Sequence, residues 1–277
     1  MTISHSLPTS LAHLETLTTL KVTVEDYIAT VTLARPDKRN AFNDEVIKEL
    51  NQAFTQLSNS DSNEVRVIVL AAEGKAFCAG ADLNWMRAMA DYSREENLAD
   101  ADKLAQMLSV IYSCPKPTVA AIQGDVYAGG IGLVSVCDIA IAVDSANFCL
   151  SEVRLGLAPT TISPYVIRAM GTRAAHRYFL TAEVFDATEA QRVGLVHETV
   201  AVTELDEKIA SIAKKLRNNS PNAVKECKKL LHYVASETID DTLIAKTVEG
   251  IADIRASDEG KEGVQSFLQK RKPNWLS

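Results

Sequence analysis

The sequence predicts an α/β core followed by a helical tail. Three observations carry this. Short, continuous apolar runs such as VRVIVLAAEG and TVAAIQG read as buried parallel strands. Segments of helical period lie between them, so the strands are joined by crossovers, which are right-handed almost without exception. From about residue 203 onward only helical periodicity remains.

In chain order, residues 1–19 are rich in Ser and Thr and weakly patterned, and read as a flexible extension. LKVTVEDYIATVTLAR alternates β-branched and polar residues around Asp26, the pattern of a hairpin. A helix follows with Asn43 as its N-cap and Val46, Ile47, Leu50, Phe54 and Leu57 on one face. The run closed by Gly74 is the next strand, and a helix is expected near 95–113, before Pro115 and Pro117. TVAAIQG then leads through a Gly-rich turn into a helical segment near 129–136, followed by strands DIAIAVDS and ANFCLSE and by helices from about Ser163. The tail divides into helices at 203–218, 221–236, 238–256 and 258–269, with Pro221 suited to a first helical position after Ser220. The expected organisation is an extension over 1–19, a core over 20–202 and a helical region over 203–277.

With 277 residues the chain can bury a large core. Its 47% apolar and 23% charged residues suit a soluble globular protein rather than a disordered or membrane one. A formal charge of −7 disfavours nucleic acid as the main partner. No run approaches the roughly 18–20 apolar residues of a membrane span. Residues 1–19 hold no Lys or Arg, unlike a secretory or transit leader, so the expected compartment is the cytoplasm. The five cysteines and five histidines are scattered without CxxC or HExxH spacing, which leaves reduced, mostly core thiols and no metal site.

Two turns carry the chemistry. GKAFCAGADLNWM (74–86) and GDVYAGGIGL (124–133) each follow an apolar strand and place small residues where backbone N–H groups stand bare at a helix start. Two such donors converging on one point make an oxyanion hole. Other glycine motifs are excluded, since the chain lacks GxxxxGK[ST], a complete GxGxxG and GxSxG.

AFCAGADL, AAIQGDVYAGGIGLVSVCDIAIA, FCLSEVRLGLAP and NSPNAVKECKKLL, four segments in order, resemble the signature segments of the enoyl-CoA hydratase/isomerase (crotonase) family. The resemblance spans about 20–275. It implies a spiral of repeated ββα units, a C-terminal helical trimerisation region, a homotrimer or a hexamer built as a dimer of trimers, and an acyl-CoA thioester substrate with no separate cofactor. It also implies site residues. The N–H groups of Ala81 and Gly129 match the oxyanion donors, and Gly130 lets the backbone approach the thioester. Lys38 and Arg39 match the segment near the coenzyme A phosphates and adenosine, Ala79 and Ala81 offer carbonyls around the adenine, and Asp82 and Leu83 join the substrate-binding set. Glu152 matches the second acid/base glutamate, and partial burial beside an acyl chain would raise its pKa toward working pH.

The family's first glutamate falls on Gly132, a departure that leaves one carboxylate where hydratases of this type use two. On catalytic residues alone, a double-bond isomerase using Glu152 is therefore an alternative to a hydratase. The wider wording of GADLNWM and of the segment from Leu150 to Glu183 resembles the bacterial methylglutaconyl-CoA hydratase branch, which favours hydration of a branched enoyl-CoA such as 3-methylglutaconyl-CoA. Such a substrate carries a distal carboxylate, for which Arg154 is a weak candidate partner. A non-catalytic RNA-binding or scaffold role is the third reading, and the net charge opposes it.

Overall fold

The structure, a computed structural model, describes residues 7–276. Strands β1 (Leu20–Glu25) and β2 (Ile28–Leu33) form the expected antiparallel hairpin, and helix α1 (Asp44–Asn59) follows. The Asn43 side chain caps α1 by accepting from Val46 N, and Val46, Ile47, Leu50, Phe54 and Leu57 are all buried. Next come β3 (Val67–Ala72), β4 (Ala76–Cys78), α2 (Leu83–Ala90) and α3 (Arg94–Tyr112). β5 (Thr118–Ile122), β6 (Asp125–Tyr127) and α4 (Gly129–Val136) precede β7 (Ile139–Val143), β8 (Asn147–Cys149) and α5 (Ser163–Thr181).

After β1, β2 and α1 the order strand, strand, helix occurs three more times, and the sheets show why it makes a spiral. β3, β5 and β7 lie in a six-stranded sheet ordered β1-β2-β3-β5-β7-β10, whereas β4, β6 and β8 lie in a four-stranded sheet ordered β4-β6-β8-β9. Each unit gives one strand to each sheet, and β3-β5-β7 and β4-β6-β8 are parallel throughout. The first strand of each unit is buried on both faces: β5 is buried along its whole length, as its continuous apolar run requires.

Several short elements were not expected, β4 and β6 within the two stretches read as turns among them. β9 (Phe185–Asp186), α6 (Ala187–Arg192) and β10 (Glu198–Val200) close the two sheets, β9 antiparallel to β8 and β10 parallel to β7. They are too short for a sequence period to register. Gly171, at φ +76°, also breaks α5 into two pieces, because the left-handed backbone there interrupts the helix.

The flexible extension expected over 1–19 is corrected where it is described. Thr9–Thr16 is a 3-10 helix with Leu11 and Leu14 buried, and Leu7 is buried before it. Glu49 of α1 holds the segment's end, accepting from the N–H and hydroxyl of Thr18 at 2.7 and 2.9 Å and of Thr19 at 2.8 and 2.6 Å. Burial pushes the Glu49 carboxyl up, but these four donors outweigh it and hold it below the usual carboxylate range. Residues 1–6 of that extension lie outside the described residues.

The tail is α7 (Leu205–Arg217), α8 (Pro221–Val234), α9 (Asp241–Ala256) and α10 (Asp258–Leu268). α7 packs on β3, β5 and β7. Ser220 caps α8 with Pro221 in its first turn, as expected. No helix among the described residues is long and apolar enough to cross a membrane.

Candidate active site

The site lies beyond the carboxyl ends of three neighbouring strands. β4, β6 and β8 pair in parallel, with Cys78 opposite Val126 and Tyr127 opposite Cys149. Ala81 follows the end of β4, Gly129 the end of β6 and Glu152 the end of β8. Strands paired this way run about 4.8 Å apart, so the three residues gather at one end of one sheet, where ligands of parallel α/β sheets bind.

The Ala81 and Gly129 N–H groups find no acceptor among the described residues. Each is left bare for a local reason. Ala81 bridges Phe42 in parallel fashion, and that bridge uses Gly80 O, which accepts from Phe42 N at 2.7 Å, and Asp82 N, which donates to Phe42 O at 2.7 Å. The amide between them points the other way. Gly129 opens α4, whose first amides have no partner within the helix. The preceding residue, Ala128, is held at φ +48°, ψ −120°, a conformation that glycine adopts more readily than alanine. Its N–H donates to Cys149 O at 2.9 Å, which ties the start of α4 to the end of β8.

Phe42 joins the two donors. Its backbone brackets Ala81, and its ring lies so close to Gly129 that a Cβ built there would sit 2.9 Å from Cε2 and 3.0 Å from Cδ2. The two turns also touch directly, a Cβ on Gly80 meeting Ala128 Cβ at 3.1 Å. Two fixed, acceptor-free amides stabilise an oxygen that gains negative charge, without reorganising as it does so.

Glu152 begins a 3-10 turn closed by Gly156 at φ +72°. Its Oε2 is buried and has no hydrogen-bond partner. Burial pushes the carboxyl above the usual range, and its own backbone N–H only partly offsets that. A carboxyl so held exchanges a proton near neutral pH more readily than a solvated one.

The enoyl-CoA hydratase/isomerase family model matches residues 23–277 of the chain. The chain belongs to that family. A short-chain-enoyl-CoA hydratase of Clostridium acetobutylicum is 32% identical over 249 residues, covering 90% of this chain and 94% of the relative. The crystal structure of an enoyl-CoA hydratase from Shewanella pealeana is 42% identical with a TM-score of 0.93, covering 97% of this chain and 100% of that one. Human enoyl Coenzyme A hydratase domain-containing protein 3 is 29% identical with a TM-score of 0.87, covering 93% and 100%. Family membership makes the chain an enzyme of the hydratase/isomerase type, acting on acyl-CoA thioesters.

In this member of the enoyl-CoA hydratase/isomerase family the remaining expected residues divide. Lys38 and Arg39 are both exposed, on a loop that Asn40 pins from within. The Asn40 amide donates to Glu73 O and Ala76 O at 2.8 and 2.9 Å and accepts from Arg35 N at 2.9 Å. Ala79 and Ala81 keep carbonyls that accept no hydrogen bond among the described residues, and Ala79 N donates to Arg39 O at 3.0 Å. Gly130 packs its Cα against Cys78, where a Cβ would lie 2.8 Å from Cys78 Cβ. Leu83 is exposed at the start of α2.

Asp82 behaves otherwise. Its carboxylate caps α2 through Asn84 N at 2.8 Å and pairs with Arg35 at 2.9 Å, so it is occupied with holding the turn rather than free for substrate. Burial pushes it up, but the Asn84 and Arg35 bonds outweigh that and hold it below the usual range. The Arg154 guanidinium donates to Ala182 O instead of standing free for a distal carboxylate. Trp85 is half-buried against the core and donates to Asp100 at 3.3 Å.

Phe42, Arg35 and Ile162 were not singled out by sequence. A Phe after a basic loop reads as core, and an Arg before one as surface. The available signal was RPDKRNAF itself, whose Arg39 and Asn40 both take left-handed backbone. No group of three or more metal-ligating side chains occurs among the described residues.

Proposed function

We propose that this enzyme hydrates a short branched 2-enoyl-CoA such as 3-methylglutaconyl-CoA. The observation that carries the reading is the meeting, at three adjacent strand ends, of two acceptor-free amides and a carboxyl with a buried, partnerless oxygen. The thioester carbonyl would accept from Ala81 and Gly129 N–H. Ionised Glu152 takes a proton from water as the oxygen bonds to the β-carbon, and the double-bond electrons move onto the thioester oxygen. The resulting enolate collapses, its α-carbon taking the proton back from Glu152. Water is added and the carboxylate is regenerated. Exposed Lys38 and Arg39 would meet the coenzyme A phosphates, as point and planar cations suited to them. The branched acyl group is supported by the wording of residues 80–86 and 150–183.

A second reading, conversion of a 3-enoyl-CoA to its 2-enoyl isomer, is favoured by Gly132, which leaves one carboxylate to carry a proton between two carbons of the same chain. One pair of assays separates them. Hydration consumes the absorbance of conjugated 3-methylglutaconyl-CoA, whereas isomerisation creates it from a 3-enoyl-CoA. Water addition to no member of a 2-enoyl-CoA panel would sink the hydratase reading. As for assembly, we propose a homotrimer, singly or paired into a hexamer, formed through the uncovered faces of α8, α9 and α10.

A further inference from the structure

Gly132 is buried one turn into α4, three residues after Gly129 and so about 4.5 Å along the helix axis from the donor amide. A Cβ built on it would lie 2.4 Å from Ile162 Cγ2, 3.0 Å from Ile162 Cβ and 3.6 Å from Leu108 Cδ2. Carbon atoms pack at about 3.5–4.0 Å, so no side chain fits at 132 while Ile162 stands. Ile162 has little freedom to give way. It is 3% exposed, and its carbonyl accepts from Tyr165 N and Val166 N at 3.1 Å each, which fixes its backbone at the entry to α5. Its branched Cβ is itself one of the obstructing atoms, so a rotamer change does not remove the obstruction. The loop that brings Ile162 here is the one that begins at Glu152.

We propose that Ile162 is a specificity-determining residue that keeps this site to a single carboxylate. It fills the volume a second acidic side chain at 132 on α4 would need, and so confines proton transfer to Glu152. Glycine at 132 and isoleucine at 162 are then one device, each tolerable only because of the other. The inference deepens the hydratase reading and rests on it.

A four-member cycle tests it: the wild-type chain, Gly132→Glu, Ile162→Gly and the double variant, each followed by thermal unfolding and by hydration of crotonyl-CoA and 3-methylglutaconyl-CoA across pH. Gly132→Glu alone is expected to lower the melting temperature or the folded yield sharply. The double variant is expected to melt close to Ile162→Gly, the non-additivity expected of residues in contact. Adding Glu152→Gln to the double variant should leave at least about tenfold more hydration than Glu152→Gln in the wild-type background, because the second carboxylate takes part of the proton traffic. Additive melting temperatures, or a Gly132→Glu chain as stable as wild type, overturn the inference. So does a folded double variant in which Glu152→Gln is as damaging as in the wild type. A wild-type chain that hydrates neither thioester overturns the hydratase reading and the proton-transfer role with it. The melting cycle then reports separately on whether positions 132 and 162 exclude one another.

Discussion

In the proposed mechanism Glu152 carries the proton, and its environment makes the prediction sharp. Because burial raises its folded-state pKa above the ordinary carboxylate value, ionising it costs stability, and that cost appears as pH rises through the shifted pKa. In the proposed mechanism the ionised form accepts water's proton. The pH profile of kcat/KM should therefore show one acid limb, lying above the usual carboxylate range, and a plateau beyond it; a bell would mean a second titrating group. Glu152→Gln keeps the shape but cannot accept a proton, and turnover should fall about a hundredfold or more while coenzyme A binding is kept. Its melting temperature at pH 8 should equal or exceed that of the wild type, since a buried charge has been removed. Retained turnover would take Glu152 out of the mechanism.

At the scale of elements, the active site is a matter of how turns are fastened together. Phe42 belongs to no regular element, yet its backbone and ring set the Ala81 amide against the Gly129 amide. Phe42→Leu removes the ring edge beneath Gly129 while keeping the backbone bridge. The expected result is a fall in kcat of about tenfold to a hundredfold, from one misdirected donor, with KM for the thioester nearly unchanged; a loss confined to melting temperature would make Phe42 a core residue only. This fastening is the part that sequence did not disclose. α1 was legible because five apolar residues recur at helical spacing behind an Asn cap, and β3 and β5 because strands buried on both faces are apolar without interruption. The two candidate donors and Glu152 were singled out through motif resemblance, which points to positions but not to what holds them. Phe42, Arg35 and Ile162 act through contacts with residues distant in sequence, which periodicity does not register. The same holds for the 7–19 segment, where two leucines three apart within a Ser/Thr-rich stretch pack down beside a Glu49 that gathers the donors of Thr18 and Thr19.

For the molecule as a whole, the tail helices pose the remaining question. α8 buries only Lys228, α9 only Leu243 and α10 only Ser266. Meanwhile Leu231, Ile239, Val248, Val264, Phe267 and Leu268 stand exposed, Phe267 and Ile239 at 82% each. A soluble monomer rarely presents contiguous apolar surface beyond a few hundred Å², and helices that bury so little of themselves obtain little stability from their own chain. The Lys228–Asp138 ion pair at 2.7 Å, with Asp138 also accepting from Thr118 N, fixes α8 to the core, so the exposed face is presented in a set orientation. A second and a third copy of this chain are the occupants we propose for these faces. Light scattering on the purified enzyme should give three times the 30.1 kDa chain mass, or six times if trimers pair. Phe267→Asp with Leu231→Asp should shift it to a single chain and lower its melting temperature, with the far-UV spectrum of the core retained. A wild-type enzyme that runs as a monomer at micromolar concentration would leave these faces to some other partner, and the trimer would be wrong.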